Sequence, residues 1–443
     1  MENNSQWNQC RRSFEPSEMS ISTDVLIVGG GALGVGTAYW LSKLTNLSII
    51  VLDENDKVGS GTSGMSSSML QSPIFYDPNS LQKVFGHAVC SSRKFWRNFS
   101  QKDALINVGT IEIVLEEKML PVIEKHMKWN TEYCNSDRVK IIDQNELKQI
   151  EPNIKAKAGL MLYDDATADY GQLIRMMAER SKGVRFINGN MAKKISEKGD
   201  KVIVEAEGIN ISSSVMLNAT GPAALKLVHS MGVAKKLADI YIGSYYWKVE
   251  PIFNHHIFVI SKGNDKFPFL NPYLSVIYDG TREIGPKPFM VNQPYYRSYG
   301  SSMASILHLL SRPISPKIKL IFDMEFLKLV YGAGTSMISK RFIIDKAKEY
   351  LPKLKELGDS RKAGKRSIII GPEGILNPST ILKTARTLHI LQYYEPGVTG
   401  TPAFSHAIAL QLAEIAGSEF RDTDEINAIP QKELEPLFIN EQT

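Results

Sequence analysis

"TDVLIVGGGALGVGTAYWLSKLTNLSIIVLDEN", residues 23–55, decides the fold. Its apolar run 25–28 has the character of a strand buried on both faces. Gly29, Gly31 and Gly34 follow in G-x-G-x-x-G spacing, and Ala38, Leu41 and Leu44 continue at helical intervals. Residues 47–52 form a second apolar strand that ends at Asp53. Strand, glycines, helix, strand and acid in this register predict a βαβ unit built for a dinucleotide. Gly29 permits the tight turn, Gly31 lets backbone approach a pyrophosphate, and Gly34 lets the helix pack on the strand. The helix, opening at Ala32 and Leu33, turns free N–H groups and its positive dipole end toward the phosphates. Asp53 is placed to accept from a ribose hydroxyl, with Glu54 as the neighbouring alternative.

Three further segments choose between nicotinamide and flavin. A nicotinamide domain would continue with another helix and strand. Residues 60–73, "SGTSGMSSSMLQSP", are instead small and polar. Thr62, Ser63, Ser66, Ser67 and Ser68 allow amides and hydroxyls to crowd a ligand. Residues 213–224, "SSVMLNATGPAA", predict a strand followed by Ala219, Thr220 and Gly221, with Met191 expected on the same ligand. Near the C-terminus, a strand leads to Pro396 and Gly397. Thr399, Gly400 and Thr401 then open a helix running to about Ile415. A second helix N-terminus suits a flavin ring that becomes anionic on reduction. Together the segments predict FAD. The serine-rich loop lacks His and Cys, so the expected attachment is non-covalent.

The bulk properties agree with a folded enzyme-sized chain. It has 443 residues, enough for two domains. Hydrophobic residues make up 43% and charged residues 22%, which is ordinary globular composition. A net charge of +5 over this length is no basis for nucleic-acid binding, which needs a clustered basic face. Cys10, Cys90 and Cys134 show neither CxxC nor metal spacing. They are expected to be unpaired, in a reducing cytoplasmic setting. Residues 1–20 have no apolar h-region and are expected to be a disordered tail. Uninterrupted apolar stretches are too short for a spanning helix.

These segments resemble the FAD-dependent oxidoreductases of the D-amino-acid oxidase superfamily. Within it they are most similar to the L-2-hydroxyglutarate dehydrogenase and malate:quinone oxidoreductase branch. The resemblance covers roughly residues 22–417. It is carried by "DVLIVGGGALG" and "VLDEN", by residues 62–88 ("TSGMSSSMLQSPIFYDPNSLQKVFGHA") and by residues 150–179 with their "EP…G…DY" pattern. Residues 266–290 ("KFPFLNPYLSVIYDGTREIGPKPFM") and the "AGKRS" of residues 363–367 add to it. The resemblance implies an α+β architecture. A Rossmann-like FAD domain of the glutathione-reductase type would come from residues 21–80, 155–225 and 362–420. An antiparallel-sheet substrate domain would come from residues 81–154 and 226–361, and residues 421–443 would be a tail. It also implies oxidation of a small 2-hydroxy acid, with electrons passing to quinone or another acceptor.

Such an oxidation needs a cation for the carboxylate, a base for the hydroxyl proton and a fixed carbon hydrogen. Arg366 matches the arginine of the family motif, and its planar fork suits a carboxylate. A surface arginine in the basic run with Arg361, Lys362 and Lys365 is the plainer alternative. Two histidines of the family branch are matched here by Gln71 and Tyr273. Neither is a good base near neutral pH, so Tyr273 would have to be lowered by Arg366 or a lysine, or both would only orient substrate. Lys287 and Lys365 stand near the same segments as base, anchor or solvated surface. His255 and His256 are expected in a structural strand, and no His spacing fits a metal. Residues 303–337 are apolar with interspersed cations, fitting either an interfacial helix on the inner face of a membrane or buried helices. An amino-acid or amine oxidase of the same superfamily, or a flavin-binding protein without turnover, are the competing functions.

Overall fold

The computed structural model describes residues 19–100, 104–260, 272–294, 340–377, 379–393 and 397–440, with isolated positions between 313 and 324. Pro396 and most of the apolar segment 303–337 lie outside the described residues. The predicted unit is present. Strand β1 (Met19–Val28) leads through the glycines into helix α1 (Ala32–Leu44) and strand β2 (Ile49–Leu52), which pairs parallel to β1.

Among the described residues, β1 and β2 belong to a nine-stranded sheet. The strand Ile209–Asn218 lies parallel on the other side of β1, and Thr387–Tyr393 pairs parallel to that strand in turn. Val184–Ile187 closes the edge beside β2. Residues 47–52, 213–218 and 387–393 are therefore joined through a central strand whose Val25, Leu26 and Ile27 have no exposed surface. One face is covered by α1, the helix Thr401–Ile415, the helix Lys83–Phe99 and the helix Tyr170–Arg180 around Trp40, Phe404 and Trp96. The other face packs against the hairpin Ala192–Lys198/Lys201–Ala206.

A second sheet of ten strands has mostly antiparallel neighbours around Ala238–Val249, Arg282–Val291 and Tyr273–Val276. Its own core includes Ile111, Trp247, Leu274 and Leu351. The mixed α/β architecture with one largely parallel and one largely antiparallel sheet is the one the family resemblance implies. Strand membership differs in places. Ala158–Leu162 and Arg366–Gly371, expected on the nucleotide side, pair within the second sheet. Residues 421–443, expected as a tail, include Phe438–Asn440, which pairs parallel to Ser379–Lys383 at the edge of the first sheet. Strand partners across long sequence separations are hard to foresee because pairing depends on what lies beside each strand.

Cys90 and Cys134 correct the expectation of separate thiols: they form a disulfide with Cα atoms 5.5 Å apart. They stand on Lys83–Phe99 and Leu120–Cys134, two helices that pack together. Spacing of 44 residues gave no hint of this meeting. Among the described residues no helix is long and apolar enough to cross a membrane.

Candidate active site

The glycines of the first turn serve different neighbours. A Cβ on Gly29 would meet the Ala219 carbonyl oxygen at 2.4 Å, because Ile209–Asn218 ends against the turn. A Cβ on Gly34 would meet the Gly29 carbonyl at 1.8 Å, so this position closes helix onto strand. Gly31 is unlike both. The nearest atom to its Cβ would be Ser63 Oγ, at 3.3 Å. Its missing side chain opens space toward a cavity rather than toward protein.

That cavity has two connected chambers of about 130 and 300 Å³. Both are lined by Gly31, Thr62, Ser63, Ala219, Gly221 and Lys365. The smaller runs past Asp53, Glu54, Met191 and Thr220. The larger takes in Ala32, Leu33, Ser66, Ser67, Gly397 and Thr401, together with Tyr246, Tyr273 and Arg366. Asp53 is nearly buried. One carboxylate oxygen accepts from the Gly30 amide at 2.5 Å and the other from the Asn55 amide and side chain at 2.8 and 3.0 Å. Ser63 Oγ accepts from the Ala32 amide at 3.0 Å and so stands on the first turn of α1. An acid at a strand end, a glycine cradle and a helix N-terminus along one chamber fit an adenosine diphosphate moiety.

Several residues expected on the ligand do other work. Thr399 Oγ1 donates to the Met69 carbonyl at 3.0 Å and bonds the Tyr170 hydroxyl at 3.1 Å, while its carbonyl accepts from Trp96 Nε1 at 3.1 Å. It joins the entry of Thr401–Ile415 to residues 69–70 rather than lining the cavity. Gly400 is the N-cap residue of that helix. Ser68 takes a left-handed backbone (φ 62°), and its carbonyl accepts from the Ala168 amide. Gln71 likewise lies outside the lining, its side-chain amide 3.4 Å from the Tyr76 hydroxyl. Lys287 pairs with Tyr245 across the second sheet, away from the lining.

The larger chamber receives its polar wall from the second sheet. Register places Ile242 opposite Arg366 and Tyr246 opposite Arg361 on one strand, and Tyr273 opposite Gly285 on another. Gly285 makes room for the Tyr246 ring: a Cβ there would lie 2.5 Å from it. The Tyr246 and Tyr273 hydroxyls are 3.0 Å apart and both side chains are buried. Burial pushes Tyr273 above the ordinary phenol range, although Ser67, Tyr246, Arg361 and Arg366 pull it back. Tyr246 is pushed well above it, also by burial first. Desolvation outweighs the nearby guanidinium charges, opposite to the lowering that Tyr273 would need to act as a base. His256 is fully buried in its strand and held neutral, its pKa pushed down to about 3 by burial. His255 pairs with Glu151 at 2.6 Å, and neither histidine lines the two chambers.

Arg361 went unrecognised in the basic run. Its Nε and Nη2 donate to the two oxygens of buried Glu283, both at 2.7 Å. Its remaining N–H groups reach the Met65 carbonyl at 3.1 Å and the Ser66 carbonyl at 3.3 Å. The serine-rich loop is also pinned by Thr62 Oγ1, which donates to the Lys365 carbonyl at 2.8 Å. Gly364 allows the same approach, since a Cβ there would meet Thr62 Cα at 2.4 Å. The only sequence signal for Arg361 was its place five residues before Arg366.

Glycine turn, serine-rich loop, converging strand end and a sheet roofing the far chamber define a flavin-dependent oxidoreductase. The chain belongs to the FAD dependent oxidoreductase (DAO) family, whose model matches residues 24–411, and FAD is its cofactor. It is 22% identical over 399 residues to L-2-hydroxyglutarate dehydrogenase of Escherichia coli strain K12, covering 87% of this chain and 92% of that one. It is 21% identical over 437 residues to human mitochondrial L-2-hydroxyglutarate dehydrogenase, covering 90% of each. In fold it is similar to dithionite-reduced L-alpha-glycerophosphate oxidase from Mycoplasma pneumoniae with FAD bound, with a TM-score of 0.65, 17% identity and coverage of 93% and 99%. Glycine oxidase from Geobacillus kaustophilus follows at 0.61 and 14%, with the same coverage.

Proposed function

We propose that this protein oxidises a small 2-hydroxy acid, with malate and 2-hydroxyglutarate as the first candidates, and passes the electrons to quinone or another acceptor. The observation that carries the reading is Arg366 in the wall of the chamber that also holds the paired Tyr246 and Tyr273 hydroxyls. The names of the two L-2-hydroxyglutarate dehydrogenases described above agree with it. Bound FAD supplies the hydride acceptor. Arg366 binds and orients the carboxylate through its planar donor fork. The neutral phenols donate or accept hydrogen bonds at the substrate oxygen without giving up a proton near neutral pH. The apolar wall around them excludes water and fixes the substrate.

A second reading, oxidation of an amino acid or secondary amine, is favoured by one observation. No described residue lining the larger chamber is a histidine, and its paired phenols are held above their ordinary range. An amine sheds its proton to water before binding and needs no such base. Anaerobic mixing of the yellow protein with malate, 2-hydroxyglutarate, lactate, sarcosine and proline separates the two. Bleaching of the flavin by a hydroxy acid supports the first reading; bleaching by the amines alone replaces it with the second. A flavin that none of the acids or amines bleaches overturns both.

A further inference from the structure

We propose that Arg361 is a positioning residue for flavin reduction: from behind the chamber wall, its guanidinium holds residues 65–67 in register with the Tyr246–Tyr273 pair. The inference rests on the reading that this wall meets the substrate, and it holds for a hydroxy acid or an amine alike.

Arg361 lines neither chamber. It stands on the short strand Ser360–Lys362, opposite Tyr246 on Ala238–Val249. Four of its five N–H groups are committed. Two grip the Glu283 carboxylate, and one each reaches the carbonyls of Met65 and Ser66. The fork is planar and rigid, so the acid on one side dictates where the two carbonyls lie on the other. Glu283 is a firm reference point. It is only 2% exposed and sits between Lys248 and Ser275 in the register of the second sheet.

Residues 64–67 have few other anchors. Among the described residues, the hydrogen bonds that reach them from outside the loop come from Arg361 and from Tyr273, which Ser67 meets. Arg361 and Tyr273 are themselves linked. The guanidinium lies over the Tyr246 ring, 4.9 Å from its centre, and the Tyr246 and Tyr273 hydroxyls are 3.0 Å apart. Arg361, residues 65–67, Tyr273 and Tyr246 therefore form a closed ring of contacts. Met65, Ser66, Ser67, Tyr246 and Tyr273 all line the larger chamber. A displaced guanidinium shifts the loop and the phenols relative to each other. Hydride transfer responds steeply to misplacement of about 1 Å. Carboxylate binding at Arg366, on the separate strand Arg366–Gly371, needs no such register.

The test uses full-length, FAD-loaded Arg361→Lys, which keeps a cation beside Glu283 but loses the planar fork. With the compound that bleaches the wild-type flavin, the limiting rate of anaerobic reduction should fall about 10- to 100-fold. The half-saturating concentration and the FAD affinity should each stay within about threefold of wild type. Visible circular dichroism of the bound flavin should change, because residues lining its chamber have moved. A wild-type reduction rate in folded Arg361→Lys overturns the proposal, whatever the variant loses in thermal stability. So does a weakening of substrate binding that matches the loss of rate. If no compound bleaches the wild-type flavin, the substrate reading fails and the dichroism decides by itself. A changed spectrum at unchanged FAD affinity then upholds the positioning role, and an unchanged spectrum overturns it. If Arg361→Lys does not fold, Glu283→Gln takes its place, since it leaves the guanidinium without its anchor and should show the same loss of rate.

Discussion

Arg361 and Glu283 meet edge to edge, Nε to Oε1 and Nη2 to Oε2, each at 2.7 Å. Glu283 is buried on the second sheet, and the same guanidinium carries the carbonyls of Met65 and Ser66 in the serine-rich loop. The Arg361 guanidinium thus ties the serine-rich loop to the second sheet, beside the Thr62 hydroxyl bond to the Lys365 carbonyl.

Arg361→Ala should destabilise the protein by about 2–4 kcal/mol, because it strands a buried carboxylate and frees the loop. The partial exposure of the arginine favours the lower end. Chemical denaturation of the variant measures this. The double variant with Glu283→Gln should lose less than the two single losses summed, since the stranded charge is then gone. Additive losses would show that the pair is not coupled.

Arg366→Ala should weaken carboxylate binding by about 100-fold while leaving FAD affinity within a few-fold of wild type. Titrating a carboxylate inhibitor against the flavin spectrum reads the first quantity, and flavin release reads the second. Equal loss of both would move Arg366 out of the substrate site.

Tyr273→Phe tests the pH behaviour. A phenol held above its ordinary value keeps its proton until the pH passes that raised value, so it contributes no ionisation between about pH 6 and 9. The pH profile of kcat/KM should keep its shape over that range. The rate should fall within about tenfold, the worth of one hydrogen bond. Loss of a basic-to-neutral limb in the variant would restore Tyr273 as a proton acceptor.

The two glycines should separate folding from cofactor binding. Gly31→Ala meets only the Ser63 hydroxyl at 3.3 Å, so the protein should fold with little loss of thermal stability but be purified poor in flavin. Gly34→Ala drives a methyl into the Gly29 carbonyl at 1.8 Å and should cost the fold itself, read as insoluble or low-melting protein. A flavin-replete Gly31→Ala protein would remove that position from the cofactor cradle.

The residues that could be read in advance are those whose role is set by near neighbours in the chain. Gly29, Gly31, Gly34 and Asp53 lie within one βαβ unit, where strand and helix periods determine who faces whom. Residues 215–217 of the strand Ile209–Asn218 and the helix Thr401–Ile415 were legible for the same reason. Thr399 shows where this stops. It has the right residue type at the right helix entrance, yet its hydroxyl is taken by Met69 and Tyr170 from distant segments.

Amino-acid order alone determined a dinucleotide turn and the choice of flavin, through local spacing and apolar periodicity, while the second, antiparallel sheet was implied by the family resemblance. Tertiary structure decided the partners. It brought Glu283 to Arg361 across 78 residues, set Tyr246 against Tyr273, joined Cys90 to Cys134 and buried Lys365 at a chamber junction. A charge or hydroxyl looks the same in sequence whether solvated or enclosed. Strand register and helix packing determine which it becomes, and both are settled only when distant segments share a core.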